Sequence, residues 1–538
     1  VVTFAALRDT RLESLSEAAQ AWRDLARQLG DLERRVVVEL EGPLRGSGWS
    51  GPASEAAFRR VDSIEDQFEL SALQSKLVAG VLGRAAEELC DVQRRLHAAL
   101  DAMPLLRLSV DDNGRVDAGV TQEWQRHTEE GRADRQRQYE NARIYGNLID
   151  DLVVEATERD ADFQKALSRL QSDSPGVNDV FEWKDAVLDA ERIGGLLGVD
   201  EAAIPGRGAS SSEAGEWWSG LTDDQRQLYL TGYPERLGAL DGLPAAARDE
   251  ANRLALRAHL DSLAHASMNS EQGYREAERL TNLLDRLEGS EYGPPEQRLL
   301  LLGLNNAGDG QAIVSVGDPD GARHTAVVVP GVGTELDGMR GQINRAAELQ
   351  GAASRLAGPI GGPVSVVAWL GYDTPGLDGS AVSHRLSKEG GAALDGFVNG
   401  LHTAHVGGAS HVTAVGHSYG STVVGEAARQ GDGLAVTDIV VAGSPGMHVS
   451  SASELNMDTR HVWAGAASDD AISGTAGGIW GIHDEEPTDP DFGANRFHVD
   501  TPGHSGYWEP GSQSLNNQAR IIVGLYADVS LDHGSAPR

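Results

Sequence analysis

The chain carries one cysteine, Cys90, among its 538 residues. A lone thiol cannot form an internal disulfide, and a cysteine-based zinc site is excluded with it. Its neighbours Leu89 and Val92 give Cys90 the setting of a helix interior, where a thiol acts as a small inert apolar group. Lysine is also scarce: four of the 46 basic residues are Lys and the rest are Arg. Against these stand 81 acidic residues, for a net charge of -35. A surface of that sign repels phosphate backbones and anionic lipid headgroups, which disfavours nucleic-acid and membrane-surface roles. No apolar run reaches the roughly 18 residues of a membrane span. The opening Val1-Val2-Thr3-Phe4 lacks a charged segment followed by an apolar one, so no classical signal peptide is expected.

What is present divides near residue 290. Of the charged residues, 87 fall in 1–290 and 40 in 291–538, while Gly and Val become more frequent as charge falls. The length predicts two or three domains. The expected division is a helical domain over 1–172, a helical linker or cap over 173–290, and an α/β catalytic domain over 291–538.

In the first part, Leu12, Leu15, Ala19, Trp22, Ala26, Leu29 and Val36 recur at helical spacing. Gly42-Pro43 and Gly46-Ser47-Gly48 are expected to break that helix. A second stripe then runs through Val61, Ile64, Phe68, Ala72, Val78, Leu82, Ala85, Leu89 and Leu96. Two amphipathic helices joined by a Gly-rich turn bury their stripes against each other as an antiparallel hairpin. On packing grounds Trp49 would plug the hairpin's end. Trp49-Ser50-Gly51 between two such helices also resembles the WxG-type hairpins exported by type VII secretion systems of actinobacteria. That resemblance covers about the first 100 residues. It implies a chain made in the cytoplasm and exported by a type VII-like system, with a secretion-system or helical protein partner for residues 1–100.

Further along, Leu106–Val116 alternates around Asp112-Asn113-Gly114, a β-hairpin signal. Residues 121–171 read as a charged helix packed through Trp124, Tyr139, Ile144, Leu148, Leu152 and Val153. Ser172–Gly176 is expected to end it, and Gly206–Gly215 reads as a linker. Trp217-Trp218-Ser219-Gly220-Leu221-Thr222, Tyr233-Pro234, Asp241-Gly242-Leu243-Pro244 and Arg248–Arg253 follow as capped short helices and turns.

The last part alternates short β-branched runs with helical or loop segments: Leu299–Leu304, Gln311–Val316, His324–Val329, Val364–Trp369, His411–Val415, Asp438–Val441 and Thr459–Ala464. Runs buried on both faces imply a mostly parallel sheet covered by helices. At one junction, the apolar strand Val412–Val415 meets Gly416-His417-Ser418-Tyr419-Gly420 and then a helical pattern through Val423, Val424, Ala427 and Ala428. The G-x-S-x-G pattern alone is weak in a chain with 65 glycines. Between a strand and a helix it becomes a nucleophile elbow, in which Gly416 and Gly420 let the two elements approach a sharply turned Ser418.

This elbow, the block from Trp217 to Arg253, and Trp369-Leu370-Gly371-Tyr372-Asp373 together resemble an actinobacterial α/β-hydrolase family long labelled as of unknown function, over about 215–526. The resemblance implies an α/β-hydrolase fold and a Ser-acid-His triad, without naming a substrate. A serine hydroxyl needs a base, and in this fold the partners follow in the order Ser, Asp or Glu, His. Asp469-Asp470 lies in the loop after the Thr459–Ala464 strand. Asp470 is preferred because Asp470-Ala471-Ile472 resembles the family's Asp-Pro-hydrophobic loop, although the proline is missing here. Beyond a last strand expected at Asn495–Asp500, the loop Thr501–Trp508 carries His504, similar to the family's His-Ser-x-Tyr; His498 and His483 are its rivals. A closing helix is expected over Ser512–Tyr526.

An oxyanion hole needs two backbone donors. Tyr419 N–H would be one, and Val332 or Gly333, in the loop after His324–Val329, the other. Tyr372 and Asp373 are candidates to line the pocket. The reading is a serine hydrolase acting on an ester-type bond of a small or lipid-like substrate, needing neither metal nor organic cofactor. The alternative is an exported or surface interaction protein that uses the hydrolase fold as a scaffold.

Overall fold

The computed structural model describes residues 1–172, 182–206, 208–266, 270–376, 384–473 and 485–532. The chain forms two compact units, Val1–Asp200 and Glu201–Arg538. His483 and the break expected at residues 173–176 lie outside the described residues.

The first unit is helical. It contains α1 (Phe4–Asp9), α2 (Glu13–Arg35), α3 (Gly42–Gly46), α4 (Pro52–Ala102), α5 (Glu123–His127), α6 (Glu129–Ser172) and α7 (Trp183–Gly194). Both α2 and α6 pack along α4. Leu70, Leu73, Leu77, Val81, Ala85, Leu89, Val92 and Leu96 form the buried stripe of α4. Burial pushes the Cys90 thiol up, as suits an inert side chain. Gly42-Pro43 does not break the first helix. Residues Val36–Glu41 widen into a π-turn in which Gly42 N–H reaches Val37 O, and Pro43, which has no N–H to offer, opens α3. The chain reverses after Gly46, and there Trp49 is 46% exposed rather than plugging the hairpin.

A two-stranded ribbon, β1 (Ser109–Val110) and β2 (Val116–Asp117), pairs antiparallel where a hairpin was expected. Asp111 Oδ1 accepts from Asn113 and Arg115 N–H across its turn. Gly114 at φ 86° backs onto Phe4 and Ile149. Of the packing residues expected after 121, Leu152 is buried, whereas Trp124, Tyr139, Ile144 and Leu148 are exposed. The buried stripe of α6 runs instead through Ala142, Ile149, Leu152, Ala156, Phe163 and Ala166, so small alanines sit where larger residues were sought.

The second unit opens with α8 (Ser211–Ser219), α9 (Asp223–Gly232), α10 (Pro234–Gly238), α11 (Ala245–Ala266) and α12 (Glu271–Glu288). The Gly206–Gly215 stretch is therefore only partly a linker. Ser210 and Glu213 form a reciprocal capping box that starts α8 inside it.

Eight strands follow: β3 (Leu299–Asn305), β4 (Gln311–Val316), β5 (His324–Val329), β6 (Val364–Leu370), β7 (His411–His417), β8 (Asp438–Ala442), β9 (Val462–Gly465) and β10 (Asn495–Arg496). Their order in the sheet is β10-β9-β8-β7-β5-β6-β4-β3. Among the described strands of this sheet, the pairings of β4 with β3 and with β6 are antiparallel and the rest parallel. The crossover and closing helices are α13 (Met339–Gly361), α14 (His384–Ala404), α15 (Tyr419–Ala428) and α16 (Gln513–Ile522). Alternate side chains of β5 to β9 feed two cores, one shared with α13 and α16 and one with α14 and α15. Two expected strands are shorter than read. Thr459–His461 is a 3-10 turn, and beyond Arg496 only an isolated Phe497–Leu531 bridge continues.

Edge strand β3 is covered by side chains of α11. Asp249 Oδ1 accepts from Leu301 N–H at 2.7 Å, while Asn252 and Arg253 donate to Leu301 O and Leu299 O at 2.9 Å. The charged block Arg248–Arg253 thus supplies the hydrogen bonds that a ninth strand would have made, and it closes an edge otherwise open to aggregation.

Candidate active site

Strand β7 runs into α15 through Ser418, which holds φ 54° and ψ -131°. A left-handed backbone at a non-glycine residue costs roughly 1–2 kcal/mol and persists only where its surroundings impose it. Here they do. A Cβ on Gly416 would lie 2.6 Å from Ser421 Cα, and one on Gly420 would lie 2.1 Å from Val329 O. Helix and strands therefore touch backbone to backbone around the serine. Ser418 N–H donates to Ala442 O at 3.1 Å, and Ser421 Oγ donates to Ser418 O at 2.6 Å. Gly331 packs directly on the serine, for a Cβ there would sit 2.6 Å from Ser418 Cβ and 3.0 Å from its Oγ.

Asp470, in the loop after β9, is buried. Its two oxygens each lie 2.9 Å from His504 Nδ1. Tyr507 donates its hydroxyl to Asp470 Oδ2 at 2.5 Å, and Ile472 N–H donates to Oδ1 at 2.9 Å. Burial works to raise the Asp470 pKa, but the hydrogen bonds from His504, Tyr507 and Ile472 outweigh it and bring it to about 2. An ionised carboxylate facing Nδ1 keeps the proton there and leaves Nε2 of His504 as the basic nitrogen. Asp469 turns away and accepts from Gly503 N–H at 2.7 Å, tying down the loop before His504. His498, with no extended strand to hold it, faces Asp532 at 3.1 Å.

Two contacts join the serine turn to the histidine loop. His417 Nε2 lies 2.7 Å from His504 O, and the two rings are 4.9 Å apart. Burial, then the neighbouring His504, presses the His417 pKa to about 3, so this imidazole is neutral. A nitrogen facing a carbonyl must carry the proton, so Nε2–H of His417 donates to the loop. Gly443, next to the Ala442 that holds Ser418, comes close enough that a Cβ there would lie 2.8 Å from Asp470 Oδ2 and 3.1 Å from His504 Nδ1. The sequence places His417 in the elbow without giving its side chain a task, and it assigns no part to Tyr507, Gly331 or Gly443. The aromatic residue three positions after the histidine was the one available signal.

Tyr419 N–H is the first donor of α15, directly after Ser418. In the loop after β5, Gly333 N–H is spent on Pro375 O at 2.9 Å. Val332 N–H has no acceptor among the described residues. Tyr372 is buried, stacks on Trp369 and donates to Pro330 O at 2.7 Å, bracing this loop from below. Asp373 is exposed and accepts from Gln311 at 2.7 Å.

One group of metal-ligand type occurs among the described residues, namely His384, Glu426 and His448, with ligand atoms within 4.8 Å of one another. Glu426 is already engaged by Arg429 at 2.9 Å and by His448 at 2.7 Å, and the two imidazoles stack face to face at 4.0 Å. Stacked rings do not converge their lone pairs on one ion, so this cluster reads as a buried ion-pair network anchoring the end of α15.

A family model described as alpha/beta hydrolase matches residues 305–477, a span that includes Ser418 and Asp470 and ends before His504. An uncharacterized protein of Mycobacterium tuberculosis (strain ATCC 25618 / H37Rv) is 31% identical over 439 residues, covering 70% of this chain and 67% of the relative. An uncharacterized protein of Mycobacterium bovis is 36% identical over 171 residues, 30% of this chain and 63% of that protein. No solved structure matches. With the sheet order and the strand-serine-helix junction already in place, these relationships lead to one statement: the chain belongs to an actinobacterial family of α/β hydrolases whose mycobacterial relatives are uncharacterized.

Proposed function

We propose that this chain is a serine hydrolase acting on ester-type bonds, with Ser418 as nucleophile, His504 as general base and acid, and Asp470 as the carboxylate that orients it. Ser418 Oγ bonds to the acyl carbon as His504 Nε2 takes the hydroxyl proton. The oxyanion forms against Tyr419 and Val332 N–H. Collapse expels the alcohol, which receives that proton, and leaves an acyl-enzyme. Water, deprotonated by the same imidazole, attacks the acyl carbon and frees acid and serine. The observation that carries this reading is the ionised Asp470 on His504 Nδ1 at 2.9 Å, in a loop hydrogen-bonded to the residue before a left-handed Ser418. A carboxylic ester is the class we put first, and thioesters and peptides use the same apparatus. A fluorophosphonate probe should label wild type and fail on Ser418→Ala; equal labelling of both, or of neither, counts against the enzyme.

A second reading concerns residues 1–100, and exposed Trp49 at the turn between α2 and α4 favours it. A large aromatic left in water at a hairpin tip suits recognition by a type VII secretion system or a helical partner. The two readings are compatible, with the hairpin as export signal and the hydrolase as cargo. Trp49→Ala should abolish appearance in the culture medium of an actinobacterial host; unchanged export of the variant, or none of wild type, removes the reading.

A further inference from the structure

Helix α12 presents Arg275, Arg279, Asn282 and Arg286 at spacings of four, three and four, and so along one face. That face and the start of α13, where Arg340 stands, enclose a pocket of about 290 Å³ floored by Leu283 and Ile343. Four guanidiniums thus surround one cavity in a chain whose acidic residues outnumber its basic ones by 81 to 46. The carboxylates in its wall are Glu278 and Asp337, which leaves the pocket with an excess of positive charge.

Arginines elsewhere in this acidic chain commonly have a carboxylate partner. Among the described residues, only Arg275 of these four has one, Glu271 at 2.6 Å. Arg286 donates only to the amide oxygen of Asn344, at 3.3 Å. Arg279 and Arg340 make no hydrogen bond or ion pair among the described residues. The Nε atoms of Arg279 and Arg286 are buried without a partner. Donors that have left water and found nothing else are costly unless a ligand completes them.

We propose that this pocket binds a small phosphorylated anion, at a site separate from Ser418. The guanidinium fork matches phosphate oxygens in pairs, and the three phosphoryl oxygens accept from several forks at once, whereas one carboxylate is filled by one or two. The volume lies at the lower edge of the roughly 300–1,000 Å³ typical of small-molecule sites, enough for a diphosphate group. Leu336, Asp337, Met339 and Arg340 of the pocket's wall follow the Gly331–Thr334 loop in the chain.

The test is calorimetric titration of the full chain with pyrophosphate, and separately with citrate, at fixed ionic strength. Saturable binding of pyrophosphate is expected, weakened about tenfold or more in Arg279→Ala. Arg340→Gln, at an exposed side chain, should show the same loss if Arg279→Ala fails to fold. No saturable binding by wild type, or equal binding by the folded variants, overturns the site; equal binding of citrate overturns the phosphoryl assignment. The measurement does not need Ser418, so it stands apart from the hydrolase reading. Fluorophosphonate labelling at saturating pyrophosphate then separates the sources of the anion. Blocked labelling marks a phosphorylated part of the substrate and contradicts a separate site; unimpeded labelling marks an independent ligand.

Discussion

Tyr507 gives its hydroxyl to Asp470 at 2.5 Å, on the same carboxylate that holds His504. The tyrosine also accepts Ala467 N–H at 3.1 Å, so one phenol joins the start of the acid loop to the acid itself. Burial, then the bond to Asp470, raises the Tyr507 pKa, and the group stays protonated as a donor at every working pH. The carboxylate therefore keeps its charge and its aim on His504.

Tyr507→Phe should leave the fold intact and lower kcat about tenfold, with KM little changed. Losing that donor raises the Asp470 pKa from about 2 towards the ordinary value near 4. A depressed carboxylate contributes stability in full above its unfolded pKa, and this is lost as pH falls through the folded one. Wild type should thus lose the contribution between about pH 4 and pH 2, and the variant at higher pH. Acid unfolding followed by circular dichroism tests this; coincident curves would remove the proposed role.

Gly331→Ala should abolish turnover while leaving the melting temperature within a few degrees. The new Cβ would press on Ser418 Cβ at 2.6 Å and push the hydroxyl off line. Ester hydrolysis and thermal melting, measured together, check it. Full activity would mean that the serine is not held as described.

His417→Phe keeps the aromatic packing but loses the donor to His504 O. A fall in kcat of about tenfold is expected, from a histidine loop that wanders, with Ser418 still labelled slowly. A wild-type rate in the variant would show that the bond does not position the base.

Asp438 lies at the far end of β8 from Ser418, fully buried. It accepts from His411 at 2.6 Å, His461 at 2.8 Å and Tyr526 at 2.8 Å. Asp438→Ala strands those donors and should cost about 3–5 kcal/mol of stability. The kcat of the folded fraction should not change. Urea unfolding beside active-site titration distinguishes the two effects; a lost kcat at unchanged stability would contradict this placement.

The elbow was legible because its chemistry is local. Five residues, Gly416 to Gly420, force one backbone geometry, and the strand and helix patterns flanking them can be read in the sequence. Buried parallel strands were equally plain, since Val328, Val366 and Val440 need no alternation to be recognised. The helical half was harder. In α6 the core is made by Ala142, Ala156 and Ala166 as much as by large residues, while the conspicuous aromatics, Trp124 of α5 and Tyr139 of α6, face water. Asp469 and Asp470 are adjacent and chemically identical, and only the loop's fold turns one to Gly503 and the other to His504. Val332 and Gly333 likewise part only through Pro375 O, 42 positions from the latter. The block Arg248–Arg253 carries no periodic signal for its task, because the backbone groups it satisfies belong to an edge strand some fifty residues on.

The most direct measurement is mass-spectrometric localisation of a fluorophosphonate adduct, with the labelling rate compared between wild type and His504→Ala. An adduct on the peptide bearing Ser418, formed at least about a thousandfold more slowly in the variant, is the result expected of a serine activated by that imidazole. An adduct on another residue, or equal rates with and without His504, would contradict it.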